Sequence, residues 1–212
     1  MLAFLTYNIE KVSNTLREAE KNMLNLGIVG IVIVVIVLLI IVWFAIYNSL
    51  VKLRTWAEGS FSQIDVQLQR RNDLIPNLVE TVKGYASHEQ GTLEAVTQAR
   101  QQLINLPENA APEMKNAMSN ELSGALSRLL VVAEQYPDLK ANTNFQELQR
   151  TLEDTENKIA TSRQLYNSAI QQYNEKVQTV PNNIVAGVHG FQVKPYLETP
   201  DAARQVPTVS FS

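Results

Sequence analysis

Residues 26–46, LGIVGIVIVVIVLLIIVWFAI, run for 21 positions without a charged side chain. As a helix this stretch is about 31 Å long, enough to cross the hydrocarbon core of a bilayer. A soluble core that hid such a helix on every side would need more apolar chain than the remainder supplies. At 45% hydrophobic and 18% charged residues, the whole chain of 212 has only an ordinary balance. A cleaved signal peptide has a shorter apolar region closed by small residues, whereas this run ends in WFAIYN. Trp43 and Tyr47 stand where aromatic rings favour the membrane interface. The sequence therefore predicts a single-pass transmembrane helix at 26–46. It divides the chain into an amphipathic segment at 1–25, the span, a helical domain at 47–180 and a tail at 181–212.

Charge and composition exclude several functions. A net charge of -3 gives no reason to expect nucleic acid, and the absence of cysteine removes disulfides, thiol catalysis and thiolate metal sites. Lys11, Arg17 and Lys21 precede the span and Lys52 and Arg54 follow it, so local charge does not orient the helix. Before the span, Leu5, Ile9, Val12 and Leu16 recur at helical spacing among charged residues. This predicts an amphipathic helix over 5–21 that lies on the membrane or packs on a copy of itself.

Past the span the periodicity is helical almost throughout. Phe61, Ile64, Leu68, Arg71, Ile75, Leu78, Val82 and Tyr85 advance by threes and fours, a packing seam with one charged intruder. Phe145, Leu152, Ile159, Tyr166, Tyr173 and Val180 repeat every seven residues, with Leu148, Thr155, Ser162 and Ala169 beside them. Leu93, Val96, Leu103 and Leu106 make a shorter stripe, and Met118, Leu122, Ala125, Leu129 and Val132 a broad one.

Prolines mark loops at 105–112 and 136–144, the second ending at Thr143, whose hydroxyl has capping-box spacing with Gln146. Ser87 and Gln90 have the same spacing, between Gly84 and Gly91. One helix over 49–106 would be about 87 Å long, and the last helix would then overhang its partners with its seam uncovered. A reversal near Ser87 instead gives two long segments, 49–86 and 144–180, and two short ones, 88–106 and 112–136. The predicted fold is all-α, an up-and-down four-helix bundle with an extended C-terminal tail. Within the first segment Pro76 removes an amide and frees the carbonyl of Asn72, predicting a kink satisfied by water or a side chain.

Two blocks carry a resemblance to a known family: SQIDVQLQRRNDLIPNLVETVKGYASHE, and YPDLKANTNFQELQRTLEDTENKIATSRQLYNSAIQQYNEKVQTVPNNIVAGVHGF. They closely resemble the LemA family of bacterial membrane proteins over about residues 47–198. The resemblance implies an N-terminal single-pass anchor, a four-helix bundle and a bacterial inner-membrane location, and relatives tend to place the bundle in the cytoplasm. It brings no established enzymatic activity. The 25 residues before Leu26 depart from the family, whose members usually begin close to the span.

The inventory of reactive groups points away from catalysis. His88 and His189 are the only histidines, and HEQGT at 88–92 has Thr92 where a zinc-protease helix carries its second His. AGVHG at 186–190 lacks the Lys of a phosphate loop, and Glu153, Glu156 and Asn157 lack the Glu-x-x-His of a di-metal bundle. No catalytic residue, cofactor or metal is therefore expected.

The structural candidates are Arg71, Pro76, Glu156, Asn157, Tyr166 and Tyr173. A guanidinium on an apolar stripe must be paired or reach water. Arg71 is thus expected either to meet Glu156 or its neighbours as a register-setting pair or to extend its head into solvent. Tyr166-Asn167 and Tyr173-Asn174 repeat at a seven-residue interval, as packing tyrosines with amides placed to serve their hydroxyls.

The tail is expected to contact neighbouring copies or the lipid surface, and VPTVSF at 206–211 has strand propensity. The first functional expectation is a non-enzymatic, membrane-anchored scaffold that forms a homo-oligomer on the lipid bilayer. The alternative is an adaptor or regulator of a membrane-protein partner, such as a protease or signalling component.

Overall fold

A computed structural model describes residues 2–198, with side chains from residue 16 onward except residue 19. The strand-prone 206–211 segment and the side chains of Leu5, Ile9 and Val12 lie outside the described set. All regular structure among the described residues is helical. The helices are α1 (Leu2–Lys83), α2 (Gln90–Ile104), α3 (Pro112–Ala133), α4 (Pro137–Ala141), α5 (Thr143–Gln178) and α6 (Asn182–His189). The chain divides into one unit ending at Ser49 and another running from Leu50.

The first unit is helical, and most of its described apolar side chains are exposed. Ile31, Leu39 and Phe44 are at least 60% exposed, and none of the most apolar window is buried. It holds a helix long and apolar enough to cross a membrane.

The second unit buries two apolar blocks. One gathers Ile75, Leu78 and Val82 of α1 with Leu93 and Val96 of α2, Leu122 and Leu129 of α3, Leu139 of α4, and Phe145 and Leu152 of α5. The other joins Ala57, Ile64 and Leu68 of α1 to Ile159, Tyr166, Ala169 and Ile170 of α5, closed by Leu197 from beyond α6. The short helices α2 and α3 contribute buried apolar side chains only to the first block. The chain's own C-terminal segment completes the second, and burying Leu197 there contributes about 1.5–3 kcal/mol.

Helix ends differ in detail from the sequence reading. The reversal occupies residues 84–89, but Ser87 does not cap α2: the N-cap position is Glu89, with no side-chain cap bond. At α5 the cap is Asn142, not Thr143. Asn142 keeps an extended backbone and its side chain accepts from the Phe145 amide at 3.1 Å. Thr143 has already entered the helix, and Gln146 donates to the Lys140 carbonyl instead of returning to the cap. The loop read at 136–144 contains α4, started by Pro137 at its first turn.

The tail is not extended throughout: 182–189 form α6. Gly190 ends it in the left-handed conformation (φ 71°), and the Phe191 amide donates back to the Ala186 carbonyl at 2.9 Å. Residues 191–198 are free of helix and lie on α5 of the same chain.

α1 continues through Pro76. The Asn72 carbonyl, which a proline four residues on cannot serve, accepts from Arg100 Nε of α2 at 2.9 Å. Arg100→Ala is expected to destabilise the domain by about 1–3 kcal/mol, because it orphans that carbonyl. In a Pro76→Ala background the new amide can serve Asn72, so the cost of Arg100→Ala should shrink. A double-mutant cycle by thermal unfolding checks this, and additive effects would refute the link.

Candidate functional site

Between the two apolar blocks lies a polar layer. In α1, Arg71 falls between Leu68 of one block and Ile75 of the other; in α5, Thr155 and Glu156 fall between Leu152 and Ile159. Arg71 is 0% exposed and spans the layer. Its Nη1 donates to Glu156 Oε1 and to Ser123 Oγ, both at 2.8 Å. Its Nη2 donates to Ser119 Oγ at 2.9 Å. Arg163 of α5 donates from Nη2 to the same Ser119 hydroxyl at 2.8 Å. The Ser123 hydroxyl sits 3.2 Å from Glu156 Oε2 and 3.1 Å from the Ser119 carbonyl, so its one proton divides between them.

One carboxylate thus faces two guanidiniums. Burial, then the positive field of Arg71, hold Arg163 below the usual arginine range, and Glu156 acts in the opposite sense. The Nε atoms of both arginines are buried without a partner. Asn157 takes no part: it is exposed, and its carbonyl accepts from Thr161.

Tyr166 packs edge-on against Phe61, ring centroids 5.5 Å apart, and burial pushes its phenol up to about 12. Tyr173 is also raised by burial, and the Lys194 ammonium lies 5.9 Å from its ring centroid. The amides beside these tyrosines do not serve their hydroxyls. Asn174 grips Lys194 by its main chain, accepting from the amide at 2.9 Å and donating to the carbonyl at 2.7 Å. Asn167 does the same to Leu197, at 2.9 and 3.0 Å. Seven helical residues rise about 10.5 Å and three extended residues cover about 9–10 Å, so the two spacings match. Asn116 of α3 adds a bond to the Glu198 carbonyl at 3.0 Å, and Lys194 reaches Glu58 at 3.4 Å. The result is a strap over 191–198 that ties α5 to α1 and α3.

Chemically the arrangement holds helices together. Among the described residues no three His, Asp or Glu side chains converge as metal ligands. His88 follows α1 and His189 ends α6, at opposite ends of the unit. Sequence reading missed Ser119, Ser123, Arg163, Arg100 and the role of both asparagines. Arg163 had a usable signal, since it interrupts the α5 stripe between Ile159 and Tyr166 as Arg71 interrupts that of α1.

Glu156→Ala, which strands two buried guanidiniums, is expected to destabilise by about 3 kcal/mol. Arg71→Met combined with Glu156→Leu should cost less than the sum of the two single changes, measured by thermal unfolding. Asn167→Ala with Asn174→Ala should speed proteolytic cleavage within 191–198 while helix content is unchanged, which limited proteolysis and circular dichroism check together.

Against known proteins, the model of the LemA family matches residues 60–211, a stretch that includes the polar layer and the strap. Magnetosome protein MamQ 2 of Paramagnetospirillum magneticum is 27% identical over 175 residues, covering 72% of this chain and 64% of that protein. Magnetosome protein MamQ of Magnetospirillum gryphiswaldense is 26% identical over 189 residues, covering 76% and 70%. Protein LemA of Metamycoplasma hominis is 27% identical over 140 residues, covering 66% and 63%. The chain thus spans less than two thirds of the length of MamQ 2 and of that LemA protein. With the family match extending over well more than half of its residues, the chain belongs to the LemA family.

Proposed function

We propose that this chain is a non-enzymatic, membrane-anchored protein whose copies self-assemble into a structural scaffold at the bacterial cell membrane. In this reading α1, α2, α3 and α5 form an up-and-down four-helix bundle of two long and two shorter helices on the cytoplasmic side. The observation that carries it is the uncovered apolar window of α1, which needs lipid around it, on the same helix that supplies Arg71 to the polar layer.

Further support comes from where the polar groups are used. Arg71, Arg163, Glu156 and the two serines bond to one another, and the asparagines bond to main chain. Two of the relatives given above are named as magnetosome proteins.

The second reading is an adaptor for another membrane protein. What favours it is an open groove between α1 and α2, lined by Val79, Lys83, Leu93, Thr97 and Gln101.

Mass photometry and particle imaging of the detergent-purified full-length protein separate the two. A discrete large ring or cage is expected for the scaffold, whereas a monomer at all concentrations would sink it in favour of the adaptor.

A further inference from the structure

α6 has two unlike faces. Val185 and Ala186 are buried, while Val180 just before the helix, Ile184 and Val188 are 77%, 58% and 67% exposed. Ile184 and Val188 are four residues apart within the helix and so share one side, and Val180 stands exposed in the turn before it. Among the described residues of the second unit nothing covers them.

Their level in the unit follows from the antiparallel pairing of α1 and α5. Glu156 meets Arg71, and farther along Lys194 bridges Tyr173 to Glu58. Val180 is seven residues beyond Tyr173, which brings it level with residue 51 of α1, seven before Glu58. Phe191, just past α6, lies under the Arg54 guanidinium at 5.6 Å from its ring centroid. Arg54 is eight residues beyond Ile46, the last of the 21 uncharged positions, a rise of about 12 Å in a helix. The apolar face of α6 thus belongs to the end of the second unit at which the chain enters it from residues 26–46. Lys52, Arg54, Lys176 and Lys194 belong to the same end of the unit, against Glu58 and Glu175. Cations in that position favour anionic lipid phosphates.

We infer that α6 is an interfacial helix: Val180, Ile184 and Val188 enter the headgroup and upper acyl layer of the membrane in which the chain is anchored. The inference rests on the membrane-anchored reading above. Lipid is the occupant because the face stands at the Arg54 end of its unit, and only eight residues of chain separate Arg54 from the uncharged run. A short amphipathic helix of this kind binds weakly alone, and the anchor removes the cost of finding the surface.

The chain has no cysteine, so single-cysteine variants can be labelled cleanly. Full-length Ile184→Cys, Val188→Cys and, as a control on α2, Gln98→Cys would each carry an environment-sensitive nitrobenzoxadiazole probe. They would be reconstituted in vesicles of phosphatidylethanolamine and phosphatidylglycerol and washed at alkaline pH. The probes at 184 and 188 are expected to emit at shorter wavelength than at 98. Lipids with a nitroxide near the headgroup should quench them roughly twofold or more above the control. Protein retained in washed vesicles with water-like emission at both sites overturns this inference alone. Protein that washes off overturns the anchored reading and this one with it. A blue-shifted probe that lipid nitroxides do not reach, and that fades as copies are diluted, assigns the face to a second copy and also overturns the proposal.

Discussion

A guanidinium with no exposure to water dictates how the helices of the second unit fit together. Arg71 cannot be left unpaired where it is, since stranding a buried charge costs several kcal/mol. Its partners come from α3 and α5, at positions that only one sliding register of the three helices brings within reach. Apolar seams alone tolerate a slip of one heptad, because leucine on leucine looks much the same seven residues on. A cradle of one carboxylate oxygen and two hydroxyls does not. The layer is thus a source of uniqueness more than of stability, the role best attested for buried polar groups.

Arg71 could be picked out of the sequence because a charged residue on an apolar stripe violates its own pattern. Ser119 and Ser123 could not, because serine in a broad stripe of Leu and Ala reads as a small core residue until something converges on its hydroxyl. Arg163 was as legible as Arg71 in principle, but it stood next to Ser162, which fitted the heptad better and drew the register. The reversal at 84–89 followed from lengths, while the caps did not. Asn142 and Thr143 are neighbours with equally good capping chemistry, and only backbone angles distinguish them.

The strap was hardest to foresee, because its code is split between two places. Asn167 and Asn174 are visible as a repeat, and the residues they hold, Lys194 and Leu197, are visible three apart. Neither spacing means anything until a helical rise is set against an extended one. Once they are combined, the length mismatch between the helix pairs has an answer. α2 and α3 line only one apolar block, and the chain returns along α5 to close the other.

An amide side chain that takes both the N–H and the C=O of one residue reads the path of a segment and not its letters. The strap is therefore bound by direction and length at two points, with Phe191 and Leu197 fixing which side faces in. Outward positions such as Val193 and Tyr196, both at least half exposed, are left free to be rewritten. What the strap displays can thus change while the thread that displays it stays in place.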